Sequence, residues 1–164
     1  MPDLPGPYES PLLDMGVWGR DLREVDGSYR ARSGEVGPAE VDVWARFREA
    51  PGEQYQHQAL LAQATTHWTI AAAMRPEEGM SEADAHRTVS TGPLSISIAF
   101  HDDVDATQWM LYVNPAIHSG RGLSQGEGHV FAIDGRLLAS YSLQAMIRPF
   151  AAPADSMGGY QRAM

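Results

Sequence analysis

From Val41 to Phe47 the side chains alternate, with Val41, Val43, Ala45 and Phe47 on one parity and Asp42, Trp44 and Arg46 on the other. A period of two sends successive side chains to opposite faces, so the segment predicts a strand with one face on a core. Pro51-Gly52 ends it. The period then changes: Leu60, Leu61, Ala64, Trp68, Ala71 and Ala72 recur at spacings of three and four, with no Gly or Pro between Gln54 and Met74. That predicts one long helix, stopped at Arg75-Pro76 because proline cannot continue the ladder of amide hydrogen bonds. Glu77 to Ser90 is polar and reads as a loop closed by Gly92-Pro93. Beyond it Leu94, Ile96, Ile98 and Phe100 alternate with Ser95, Ser97 and Ala99, predicting a second strand. Three further strands are expected at Gln108–Val113, Ser124–Ile133 and Arg136–Arg148, the last two joined by a tight Asp134-Gly135 turn.

The ends carry weaker patterns. Gly16–Glu24 and Ser28–Arg32 flank Asp26-Gly27, a dipeptide favoured in two-residue hairpins, and predict a short hairpin before the Val41 strand. Residues 1–15 carry four prolines and no periodicity, and read as an extended arm. Residues 16–150 read as a single domain, and 151–164, rich in Ala, Gly and Pro, as a flexible tail. Strands, one long helix, then long antiparallel strands make an α+β chain. A curved antiparallel sheet wrapped around one central helix buries the helix almost completely while hiding one face of the sheet. This is the hotdog arrangement.

Composition narrows the chemistry. A chain of 164 residues, 43% apolar and 20% charged, is sized and constituted for one folded domain. It has no cysteine, which removes disulfides, thiolate metal sites and cysteine nucleophiles; all twelve basic residues are arginine, so lysine Schiff-base chemistry is also excluded. A net charge of -9 argues against nucleic acid, which requires a concentrated basic surface. No apolar run is long enough to span a membrane and no basic-then-apolar leader opens the chain, so the expectation is a cytoplasmic protein without a membrane partner. A small anionic ligand needs only a local group of arginines, for which Arg75, Arg87, Arg121, Arg136 and Arg148 are candidates.

From Gln56 onward an ordered set of motifs accumulates. His57-Gln58 and Leu60-Leu61 open the helix; Phe100-His101 ends a strand; Gln108-Trp109-Met110-Leu111-Tyr112 follows an acidic loop. Then come Gly120-Arg121-Gly122, Gly126-x-Gly128, the run Asp134-Gly135-Arg136-Leu137-Leu138-Ala139-Ser140, and finally Gln144 with Arg148. In this order the chain resembles the acyl-CoA thioesterase II family, and in particular the second of its two hotdog halves. The resemblance implies hydrolysis of fatty acyl-CoA by water, no cofactor and no metal. It also implies pairing with a second hotdog, as a homodimer or a heterodimer, because a lone hotdog leaves a sheet edge and apolar surface open.

Catalysis in that family rests on a helix Asp, a hydroxyl at the start of the following strand and a Gln near the end of the last. In this chain those positions fall on Thr66, Pro93 and Leu143, with Ser95 and Gln144 as the nearest polar residues. Thr66, Ser95 and Gln144 are therefore the expected catalytic positions, and Arg121, flanked by glycines, the expected contact for a coenzyme A phosphate. Threonine is no base at neutral pH and proline offers no side-chain donor, so the alternative implied is a catalytically impaired subunit that binds acyl thioester or completes a partner thioesterase. His67, beside Thr66, is a substitute base by residue type, but it points about 100° away around the helix. His101 with Asp102, Asp103 and Asp105 has the composition of a hard-metal site or of a charged turn; lacking a further ligand, it reads as a turn. Trp68, Trp109 and the methionines fit a core better than an acyl tunnel.

Overall fold

A computed structural model of the chain describes residues 1–15, 19–25, 36–50, 52–81, 85 and 88–150. Its elements are β1 (Arg20–Glu24), β2 (Glu40–Phe47), α1 (Gln54–Met74), β3 (Val89–Phe100), β4 (Met110–Gly120), β5 (Leu123–Ala132) and β6 (Leu137–Pro149). The strands form one six-stranded sheet in the order β1-β2-β4-β5-β6-β3, each neighbouring pair antiparallel. The helix has the bounds its apolar spacing predicts. At its N-terminus the Glu53 N–H donates to Gln56 Oε1 at 3.3 Å, which occupies one of the first-turn polar groups.

The sheet curls over α1. Leu61, Ala64, Trp68, Ala71, Ala72 and Met74 of the helix meet Val41 and Val43 of β2, Tyr112 of β4, Val130 of β5 and Leu143 of β6 in one buried cluster. Two glycines make this approach possible. A Cβ on Gly126 would collide with the Thr69 side chain, and one on Gly128 with the Tyr141 ring. A smaller cluster of Val25, Trp44, Trp109 and Leu111, joined by Leu4, lies on the opposite face of the sheet. The N-terminal residues dock there: Trp44 Nε1 donates to Pro5 O at 2.9 Å, and Leu12 bridges to Arg23.

Two expectations are corrected. The strand after the helix begins at Val89, not after Pro93, so part of the anticipated loop is extended chain. Proline is tolerated because β3 is an edge strand of the described sheet, with β6 as its strand neighbour there, and Pro93 on its outer side meets no described donor demand. The next strand runs through Asn114-Pro115 to Gly120 instead of ending at Val113, since Pro115 sits opposite Glu40, the first residue of β2, where the demand for its missing N–H ends. The early segment 20–24 pairs with β2, Arg20 opposite Phe47; the Asp26-Gly27 turn and Ser28–Arg32 of the expected hairpin, and the tail at 151–164, lie outside the described residues. At the other hairpin the sequence reading holds, with Gly135 at φ 92 and its N–H donating to Ala132 O at 2.9 Å.

Candidate active site

The helix carries Thr66 on its half-buried flank, where Oγ1 donates to the Gln63 carbonyl at 3.2 Å. Its proton is used within the helix, and its lone pairs are left as acceptors. Next to it His67 packs edge-on against Trp68, ring centroids 5.0 Å apart at 82°. One end of α1 is tied down by His57, whose Nδ1 accepts the Ala106 N–H at 3.0 Å and lies 3.9 Å from Asp105 Oδ1. His57 therefore joins the first turn of the helix to the β3–β4 loop.

β3 carries Ser95 and β6 carries Gln144. Pro93 pairs with Ala145 and Ser95 with Gln144, so β3 advances two residues while β6 advances one. Leu94 is the extra residue of a β-bulge. The bulge brings Ser95 Oγ to donate to Gln144 Oε1 at 3.5 Å. Both side chains are exposed, on the face of the sheet away from the helix, whereas the adjacent Leu143 is fully buried in the cluster around α1. Ser95 and Gln144 are thus brought together, and Thr66 lies across the sheet from them. The positions facing the helix on these two strands hold Leu143, Ile96 and Ile98.

Sequence reasoning did not find the polar group that does face the helix. Tyr141 OH donates to Asn114 Oδ1; Asn114 Nδ2 donates to Val41 O at 2.8 Å, and the Asn114 N–H to Asp42 Oδ1 at 3.3 Å. Asn114 is fully buried and Tyr141 nearly so. Burial pushes the Tyr141 phenol above its ordinary range, and that of Tyr112 likewise, so both remain neutral donors. The available signals were Asn114 inside an apolar strand and the small residues Gly126 and Gly128 opposite a tyrosine.

Asp102, Asp105 and His101 have other partners. Arg136 Nη1 donates to Asp102 Oδ2 at 2.6 Å, holding that carboxyl below the usual range; Asp105 is lowered chiefly by the Thr107 hydroxyl at 2.6 Å; His101 Nε2 contacts Ser140 Oγ at 2.8 Å. Among the described residues no group of three or more His, Asp or Glu is placed to hold a metal ion. A cavity of about 420 Å³ opens at this end of the barrel, between the helix start and the β5–β6 turn, lined by Gln54, Asp103, Asp105, Met110, Asp134 and Leu138 among others.

The candidate arginines divide. Arg136 is paired with Asp134 and Asp102, and Arg75 Nε donates to Pro38 O at 3.3 Å. Arg87 lies outside the described residues. Arg121 stands at φ 53 in the two-residue turn between β4 and β5, followed by Gly122 at φ 78. Arg148 lies over that turn: a Cβ on Gly122 would come within 2.9 Å of its Cγ.

Residues 4–147 match the family described as acyl-CoA thioesterase C-terminal domain. The acyl-CoA thioesterase 2 of Haemophilus influenzae is 30% identical over 114 residues, 68% of this chain and 38% of that protein. The fold is similar to that of an acyl-CoA thioesterase II from Mycobacterium marinum (TM-score 0.73, 22% identity, 92% of this chain and 56% of the other). It is similar also to a hot dog protein of unknown function from Alicyclobacillus acidocaldarius (TM-score 0.65, 19% identity, 93% and 55%). A Streptococcus mutans protein solved bound to acetyl-CoA has a TM-score of 0.53 at 10% identity, over 70% of this chain and 85% of its own. The chain spans 38% of the curated relative and 56% of the M. marinum structure.

Proposed function

We propose, from the premise that this chain belongs to the acyl-CoA thioesterase C-terminal domain family, that it works as one hotdog of an acyl-CoA thioesterase and cleaves fatty acyl-CoA by attack of water on the thioester. The family match over residues 4–147 carries this reading. The sheet supports the need for a partner. β3 is a 12-residue edge strand with Leu94 58% and Ile96 40% exposed, an open edge of the kind that recruits another strand. A second hotdog chain, identical or different, covers it. Such chemistry on a soluble thioester belongs to fatty acid metabolism in the cytoplasm; no helix among the described residues is long and apolar enough to cross a membrane.

In this reading Thr66 is the helix-side contact for the attacking water, accepting a hydrogen bond through the lone pairs that its bond to Gln63 leaves open. Ser95 and Gln144 form a polar pair at the edge where a partner joins. No step passes through a covalent intermediate, and the polar groups orient water and carbonyl. The wholly buried Leu143, and Pro93 on β3 opposite Ala145, favour a second reading: a subunit that binds acyl thioester or completes a partner thioesterase without cleaving.

Thiol release from medium- and long-chain acyl-CoA, measured on the chain alone and mixed with a candidate hotdog partner encoded nearby, decides between them. The expected result is turnover in the paired species, whose mass in solution is that of two hotdogs, and a lower rate for Thr66→Ala. Binding of acyl-CoA without turnover, alone and paired, leaves the second reading. Turnover unaffected by Thr66→Ala removes Thr66 from the site.

A further inference from the structure

We propose that the turn between β4 and β5 is a phosphate site, in which Arg121 and Arg148 hold a phosphate of coenzyme A. The proposal rests on the reading of the chain as an acyl-CoA hotdog and assigns where the nucleotide end of that ligand lies.

In a chain of net charge -9, free cations are scarce. Among the described residues Arg20 lies over the Phe47 ring, Arg23 donates to Ser10 O, Arg46 and Arg48 share Asp21, Arg75 reaches Pro38 O, and Arg136 is held by Asp134 and Asp102. Arg121 and Arg148 have no hydrogen bond, ion pair or ring contact within the described residues, and both are exposed. They meet at one turn. The Arg148 side chain runs over Gly122, with Cγ 2.9 Å and Nε 3.0 Å from where a Cβ would stand, and the Ile147 N–H donates to Gly122 O at 3.2 Å. On the other side of Arg121 the His118 ring lies 3.3 Å from the equivalent point of Gly120. The two glycines of the turn thus let the Arg148 side chain and the His118 ring pack against the backbone on either side of Arg121, gathering basic groups at one turn.

The backbone supports the same assignment. Arg121 is the only non-glycine residue at positive φ among the described residues. A two-residue turn of this hand is ordinarily built with Asn-Gly or Gly-Gly, so arginine there is held in a conformation that L side chains rarely adopt. No described residue pairs with its charge. Strain maintained at one exposed residue points to a role outside folding.

The opposite end of the barrel repels the same ligand. Asp103, Asp105 and Asp134 line the cavity there, and its one lining arginine, Arg136, is held by Asp134 and by Asp102. β4, 11 residues long, starts at that cavity with Met110 and ends at Gly120, a run of roughly 35 Å at the usual rise per residue. The field along the strand therefore favours a polyanion at the Arg121 end.

Calorimetric titration of the full chain with coenzyme A, 3′-dephospho-coenzyme A and inorganic phosphate tests the site. Arg121→Gly and Arg148→Gln are each expected to weaken coenzyme A binding about tenfold, the scale of one lost charge-assisted contact. Arg121→Gly should melt no lower than the wild type, because glycine accepts the φ of 53 without strain. Unchanged affinity in both variants, or no binding of coenzyme A by the wild type, overturns the proposal. Inorganic phosphate binding as tightly as coenzyme A, with the same sensitivity to both variants, makes this a free-phosphate site and overturns the coenzyme A assignment. Acyl-CoA turnover by an Arg121→Gly protein of unchanged coenzyme A affinity removes the turn and leaves the thioesterase reading standing. Lost affinity in a protein that cleaves nothing does the reverse.

Discussion

Leu143 and Gln144 are neighbours in β6 with opposite surroundings, and giving each the other's side chain measures how firmly the sheet face is fixed. Leu143 is wholly buried in the cluster around α1, opposite Gly126 and Ile96. Leu143→Gln removes an apolar side chain worth about 2 kcal/mol of burial. It also strands an amide for which the inner row offers no partner, at a further cost of about 1–3 kcal/mol. The loss should total about 3–5 kcal/mol, which for a domain of this size lowers Tm by at least about 6 °C. Gln144→Leu, at an exposed position, should stay within about 0.5 kcal/mol and about 2 °C. Urea unfolding followed by far-UV circular dichroism and by tryptophan fluorescence gives both numbers and tests two-state behaviour. Equal losses in the two variants, or a loss below about 1 kcal/mol for Leu143→Gln, would refute the assignment of faces and with it the separation of Gln144 from Thr66.

Tyr141→Phe deletes the hydroxyl that serves Asn114 and leaves a buried amide oxygen unsatisfied. The expected cost is about 1–3 kcal/mol in the same unfolding experiment; a neutral substitution would show that water or another group already fills that role. Asp21 accepts hydrogen bonds from Arg48 and Arg46, which hold its carboxyl below the usual range, the Arg48 bond contributing most. A lowered folded-state value contributes stability above the unfolded value of about 3.9 and loses it as pH falls through the folded one. The stability gap between wild type and Asp21→Asn should therefore be constant from neutral pH to about pH 5 and close below about pH 4. A gap that grows on acidification contradicts the pairing.

Periodicity made the helix legible to the residue, because an uninterrupted run of three-and-four spacing admits no other regular structure of that length. The rows of β6 were legible for the same reason: Leu143, Ala145 and Ile147 are buried, and Gln144 and Arg148 exposed. The proline-containing ends of β3 and β4 were not. Whether Pro93 or Pro115 breaks a strand depends on which neighbour needs its missing N–H, and strand order is not written in local sequence. The Asn114–Tyr141 contact was hidden similarly, since its partners are 27 residues apart and meet across β5, through the space left by Gly128.

The bulge at Leu94 separates what is paired from what is re-aimed. Gln144 could reach the helix side only through a shift within β6, whereas the extra residue lies in β3. A bulge alters the strand that carries it, so Ser95 gains Gln144 as its partner while Gln144 keeps its face. The helix side of the sheet is left with Leu143, Ile96 and Ile98, and the polar groups described there include Tyr141 and Asn114, bonded to each other, and the buried hydroxyls of Thr69 and Tyr112. In the catalytic reading a water on that side is held by Thr66, by one of these buried hydroxyls, or by a group that a second chain brings across the edge of β3. That makes turnover by the isolated chain, compared with the paired one, the measurement on which the catalytic reading turns.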